Sequence, residues 1–201
     1  LVAALDAWLP TRASYDVADR VATLAAGSSA DNRLRMRLSA YVVAWRLAQV
    51  VEAANVRLAP MTGRRYALEQ STATTGAGRG GLGLQVRDEW SGELRDPATL
   101  SGGETFVVSL ALALGLADVV TSESAADGEG TDVDTLFVDE GFGSLDPDTL
   151  DDVMDTLDAL RDGGRVVGVV SHVAELRTRI PVQLHVTPDR AGSRVTLVHG
   201  G

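Results

Sequence analysis

The stretch that most constrains this 201-residue chain is Leu100-Ser101-Gly102-Gly103-Glu104, which leads into an apolar run from Phe106 to Val120. Ser is a favoured N-cap and a Glu three positions later completes a capping box, so a helix is predicted to start here. Phe106, Val107, Leu110, Ala111, Leu114 and Ala117 recur at helical spacing, as a buried helix requires. Two glycines stand between cap and helix body, a costly start unless another group must approach the backbone closely. Bare Gly amides and a Ser hydroxyl at a helix N-terminus make a ready seat for a phosphate. Taken alone, the stretch is also explained by an ordinary capped core helix.

The length allows one domain plus an appendage, with a substantial core. No window approaches eighteen apolar residues without a charged or polar break, so no spanning helix and no membrane partner is expected. The chain opens Leu-Val-Ala-Ala, without an initiator Met, a basic n-region or a cleavage site, and reads as a piece of a longer protein. The absence of cysteine excludes disulfides and thiolate metal sites and agrees with a cytoplasmic setting. All eighteen basic residues are Arg, which excludes Lys-dependent chemistry. Residues 1–99 carry twelve Arg against ten acids, net +2, whereas residues 100–201 carry six Arg against eighteen acids, net −12. The second half is therefore a poor partner for nucleic acid, and any DNA contact falls to the first half or to another chain.

In chain order, residues 1–25 read as helical with a break at Pro10, and Gly27-Ser28-Ser29 as a turn. A long periodic helix is predicted from Asn32 to about Ala59, stopped by Pro60. Arg33, Arg35, Arg37, Arg46 and Arg57 stud it against Glu52 alone, which fits a solvated face or a DNA-facing stripe. Tyr66–Glu69 and Leu82–Arg87 read as strands, residues 72–81 as a Gly/Thr/Ala loop, and Asp88 to Pro97 as a polar turn region. Residues 122–134, acidic and poor in apolar side chains, read as a mobile exposed loop. Three α/β-style units follow. Thr135–Val138 is predicted to be a buried parallel strand ending in Asp139-Glu140, and Gly141–Pro147 a turn. Helix 148–161 presents Leu150, Val153, Met154, Leu157 and Leu160 on one face. Strand 165–170 carries Ser171-His172 at its carboxyl end, and a short helix 174–179 leads to strands 182–186 and 194–198.

Carboxylates just past the end of a buried strand stand where open α/β sheets place their ligand chemistry. Asp139 suits a metal-orienting carboxylate, and Glu140 beside it could polarise an attacking water. His172 could hydrogen-bond a terminal phosphate or serve the structure alone. Asp146 before Pro147 is explained locally as a helix N-cap.

Together and in order, these pieces resemble the second half of an ABC-type ATPase. Leu100–Glu104 is similar to the signature motif, and Leu136–Glu140 to Walker B. Ser144-Leu145-Asp146 resembles the D-loop, and Ser171-His172 the H-loop. The Glu at 104 and the run Asp139-Glu140-Gly141-Phe142-Gly143-Ser144-Leu145-Asp146 are similar to the SbcC nuclease-subunit family. Transporter subunits usually carry Gln in the first place and Pro after the Glu. The resemblance extends over about residues 35–199, with residues 36–68 similar to the family's returning coiled-coil arm. No Gly-x-x-x-x-Gly-Lys-Ser/Thr occurs, and without Lys none can. In the family that half lies upstream of a long coiled coil, so the expectation is a C-terminal fragment.

The resemblance implies an α/β fold: the C-terminal lobe of an ABC-type ATPase head at residues 60–201, with a parallel sheet core and flanking helices. Residues 1–59 would form the base of a coiled-coil arm. It implies ATP and Mg²⁺ bound between two protomers, with Asp139 on the metal, Glu140 positioning the attacking water and His172 on the γ-phosphate. Ser101, Gly102 and Gly103 would close over ATP held by the other protomer, and Asp146 would connect the two sites. The implied partners are the chain's own N-terminal half, a second copy, DNA and an SbcD-like nuclease subunit in DNA end processing and double-strand-break repair. Two other readings stand beside this one: an SMC- or recombination-type DNA clamp without a nuclease, and a non-enzymatic coiled-coil docking module.

Overall fold

The computed structural model describes residues 2–71, 82–127, 135–190 and 192–199. Helix α1 spans Val2–Ala25 and α2 spans Leu38–Met61. Strands β1 (Tyr66–Ser71), β2 (Gly83–Asp88) and β3 (Glu93–Arg95) form an antiparallel sheet in that order. Helix α3 (Gly102–Asp127) follows. Strand β4 (Thr135–Asp139), helix α4 (Pro147–Asp162) and strand β5 (Val166–Val170) form a β-α-β unit whose strands pair in parallel. The short helix α5 (Ala174–Arg179) leads into an antiparallel hairpin of β6 (Val182–Asp189) and β7 (Gly192–His199).

The core lies where α2, α3 and α4 meet the strands. Ala54 and Leu58 of α2, Val107, Ala111 and Leu114 of α3 and Val153 and Leu157 of α4 are buried there, with Val86 and Val138 from the sheets. Each such Val or Leu side chain contributes roughly 1.5–3 kcal/mol by leaving water. Gly115 lets α3 lie directly on α2, since a Cβ at 115 would stand 2.5 Å from the Ala54 nitrogen. The Asn55 side chain ties α2 to β1 by donating to the Leu68 carbonyl (3.0 Å) and accepting from the Leu68 amide (2.7 Å). Helix α3 is long and apolar enough, by length and composition, to cross a membrane. Ser109 and Asp118 still break its apolar run, as the sequence shows; Val107, Val108, Leu110, Ala111 and Leu114 are buried in the core, while Leu116 and Val120 are exposed.

Several boundaries depart from the sequence expectation. Helix α1 continues through Pro10 instead of breaking. The proline forfeits one backbone bond, and the turns on either side carry the helix on. Helix α2 begins at Leu38, six residues later than expected. The Asn32 amide donates to the carbonyls of Leu24 (3.0 Å) and Met36 (2.8 Å), and Arg35 takes φ +46°, so residues 32–37 are locked as a turn. At its other end α2 includes Pro60 and stops one residue later at Met61. Of the arginines read as a stripe, Arg57 pairs with Asp118 of α3 (2.8 Å) and Arg46 with Glu123, so both serve helix packing. The polar region 88–97 contains β3. Residues 122–127 continue α3 rather than looping; 128–134, like the loop at 72–81, lie outside the described residues.

Candidate functional site

Strands β4 and β5 end side by side, with Asp139 opposite Val170. The Glu140 amide then donates to the Val170 carbonyl (2.9 Å), which turns the chain sharply off the sheet. Glu140 takes φ +61° and Gly141 φ +96° to make that turn. A non-glycine residue in the left-handed region costs about 1–2 kcal/mol, and such strain collects at functional sites. The turn carries the Glu140 carboxylate to His172, whose Nδ1 lies 2.9 Å from Glu140 Oε2. Both side chains are more than half exposed. An ionised carboxylate only accepts, so Nδ1 carries a hydrogen. A neutral ring then shows a lone pair at Nε2, and an imidazolium shows an N–H. That Nε2 faces Gly143, where a Cβ would stand 3.6 Å away.

The segment after β5 that presents His172 is anchored from both sides. Leu176 of α5 is buried in the core, and Arg179 spans to Asp151 (2.7 Å) and Asp155 on α4. Asp139 is an exposed carboxylate at the strand end. Among the described residues no three His, Cys, Asp or Glu side chains form a metal cluster. Mg²⁺ commonly takes one or two carboxylates and fills its octahedron with water and phosphate oxygens, a pattern that a single Asp139 fits.

The signature stretch folds as its capping box predicts. The Glu104 amide donates to Ser101 Oγ (3.2 Å), and the Ser101 amide donates to Glu104 Oε2 (2.8 Å). Ser101 and Gly102 are exposed. This turn packs on the Ser144-Leu145 segment: a Cβ at Gly103 would stand 2.7 Å from the Ser144 carbonyl oxygen. One turn further along, the Phe106 ring meets Phe142 edge to face at 5.1 Å between centroids. Asp146 caps α4, accepting from the Thr149 amide (3.0 Å) and hydroxyl (2.8 Å), and these bonds hold its carboxyl below the usual range.

The structure thus joins Glu140 with His172 beside Asp139, and joins Gly102 and Gly103 with Ser144 at the D-loop-like turn. Three neighbours escaped the sequence reading. The Tyr66 hydroxyl donates to Glu104 Oε1 (2.5 Å), Arg95 approaches Glu104 Oε2 (3.8 Å), and Asp118 pairs with Arg165 (2.9 Å) as well as Arg57. Each links residues remote in sequence, and only the position of Tyr66 at the head of a strand hints at its contact.

A family model described as "SbcC/RAD50-like, Walker B motif" matches residues 82–159. The chain is 46% identical over 159 residues, 79% of its length, to the SbcC subunit of the SbcCD nuclease of Staphylococcus saprophyticus, covering 15% of that protein. It is 42% identical over 187 residues, 92% of its length, to the SbcC subunit of the Vibrio cholerae nuclease, covering 18% of that protein. The chain therefore spans less than a fifth of the length of these relatives. Among solved structures, one from a study of ATP-driven dimerisation and DNA-stimulated activation of SMC ATPases has a TM-score of 0.59 at 12% identity. That match covers 79% of this chain and 89% of the other. An Smc head domain with coiled coil and joint from Pyrococcus yayanosii gives 0.56 at 15% identity, over 78% of this chain and 28% of that one. At these identities the likeness is one of fold, and the fold is the α/β architecture of an SMC-type ATPase head. Shared identity and shared motif place the chain in the SbcC/RAD50-like family.

Proposed function

We propose that this chain is the second half of a composite ATPase head, working within an SbcCD-type nuclease complex in DNA end processing and double-strand-break repair. The observation that carries the reading is the 2.9 Å contact between Glu140 and His172, beside Asp139, at the carboxyl end of two parallel strands. Asp139 would supply one ligand to Mg²⁺, which when bound neutralises charge on the phosphates of ATP. Glu140 accepts a hydrogen bond from the attacking water and orients it. His172, its ring fixed through Nδ1, turns Nε2 to the γ-phosphate and donates there when protonated. Ser101, Gly102 and Gly103 offer a hydroxyl and bare amides at the N-terminus of α3 to the γ-phosphate of ATP held by a second copy. Asp146, fixed as a cap, would connect the two sites across the interface. ATP would then join two heads and hydrolysis release them, with an SbcD-like nuclease subunit and DNA as partners.

The chain's own N-terminal half is the proposed cover for the open sheet faces. Phe137 of β4 is 73% exposed, and Val182, Leu184, Val186, Val195 and Leu197 along the β6–β7 hairpin are exposed too. Glu140→Gln in the full-length protein tests the reading. A water-orienting base contributes on the order of 10²–10⁴ in rate, so turnover should fall by about that much. ATP affinity should stay within a few-fold, and an ATP-bound dimer should accumulate on a sizing column. Turnover within a few-fold of the parent would assign the water to another residue.

A further inference from the structure

We propose that Tyr66 is a positioning residue for the Ser101–Gly103 turn, its hydroxyl holding Glu104 so that this carboxylate fixes the Ser101 amide. The inference rests on the reading of that turn as the seat for a nucleotide phosphate of the opposing copy. A capping box by itself asks only that the Glu side chain reach back to the N-cap amide. Here both oxygens are engaged: Oε1 accepts from the Tyr66 hydroxyl at 2.5 Å, and Oε2 accepts from the Ser101 amide at 2.8 Å. Arg95 stands 3.8 Å from Oε2 and is itself held by donating to the Thr99 carbonyl (2.7 Å). Two anchors from different elements fix both the reach and the plane of the carboxylate, which one anchor cannot do.

Tyr66 is in turn packed in place. Its side chain is 6% exposed at the head of β1, and the Arg65 guanidinium lies 4.7 Å above its ring. Asp88 of β2 holds that guanidinium at 3.0 Å, and Trp90 stacks on it at 4.7 Å. A buried tyrosine hydroxyl normally requires a polar partner, and a carboxylate is a strong one. The line Asp88–Arg65–Tyr66–Glu104–Ser101 therefore carries the rigidity of the β1–β2 sheet to a turn that is exposed on its outer side. Amides held in place before the phosphate arrives stabilise it at no cost of reorganisation.

The test uses the full-length protein in the Glu140→Gln background, where association of heads can be read at equilibrium. Tyr66→Phe keeps the ring and removes one hydroxyl. ATP-driven association should weaken about tenfold, the scale of one hydrogen bond to a charged group. Affinity of the single head for a fluorescent ATP analogue should stay within twofold. Glu104→Ala should weaken association at least as much, and the double variant should weaken it no further than Glu104→Ala alone, since the two side chains act through one contact. Association of Tyr66→Phe within twofold of its parent, or additive losses in the double variant, would overturn the role of Tyr66. So would a parallel loss of single-head affinity, the mark of a loosened lobe. A parent that binds ATP without associating would instead overturn the opposing-copy reading, and the role of Tyr66 with it.

Discussion

The glycines around the site divide by what their missing side chains leave room for. Gly141 combines φ +96° with a Phe106 ring that would stand 2.2 Å from a Cβ. Gly103 is pressed against the Ser144 carbonyl oxygen, so the fold itself gives a reason for it. Gly102 has no such reason, because a Cβ there meets only Ser144 Cβ at an ordinary 3.7 Å. The open approach that the sequence assigns to both glycines thus narrows to Gly102. Gly141→Ala should destabilise the protein by about 2–4 kcal/mol, the sum of a left-handed alanine and overpacking against an aromatic ring. Gly102→Ala should stay within about 1 kcal/mol, since only helix-start conformational freedom changes. Urea midpoints of the two variants in the full-length protein check the contrast, and equal shifts would refute it.

At the scale of elements, legibility followed the range of the forces. Helix α3 starts at its capping box, α4 buries the five residues its period predicts, and β4 and β5 pair in parallel, although of the residues expected to be buried in β4 only Val138 is, and Phe137 is exposed. Those signals are local. The late start of α2 depends on Asn32 reaching back to Leu24, and the helical stretch 122–127 includes Glu123, which is paired with Arg46 of another helix. β3 is three residues long and exists by pairing with β2, a context no short polar run announces. At the candidate site, strand-end positions pointed to Asp139, Glu140 and His172, and the last two do meet there, whereas the Tyr66–Glu104 contact spans 38 positions and leaves no periodic trace. The β1–β2 hairpin also carries a pH signature. Arg65 holds the Asp88 carboxyl below its ordinary range. A lowered carboxylate value means that the contribution is present above about pH 4, where the unfolded chain titrates, and is lost as pH falls through the folded value. Asp88→Asn should lower the urea midpoint at neutral pH and bring it level with the parent under acid. An undiminished difference between pH 7 and about pH 2 would show that the Arg65 contact is not its source.

For the whole molecule, the 201-residue chain by itself should neither bind Mg-ATP tightly nor hydrolyse it. On the proposed function it would offer one Asp to the metal, one Glu to the water and a cap for one phosphate. A triphosphate also requires a ring of amides and a compact ammonium, and this sequence contains no Lys. Residues 100–201 are net −12 and repel a nucleotide. Calorimetry on this chain should show no stoichiometric binding, and phosphate release should appear when the remaining part of the head is supplied. Tight binding by the chain alone would contradict the half-site reading.

The contact of Gly115 with Ala54 has a mechanical consequence. Two helices separated by long side chains can roll past one another as rotamers exchange, but backbone seated on backbone behaves like a keyed shaft. Beside that key, Asp118 is pinned both to Arg57 on α2 and to Arg165 just before β5. A twist applied along α2 would then pass to α3, whose N-terminal turn carries Ser101, and through the Asp118–Arg165 pair to the strand that leads to His172.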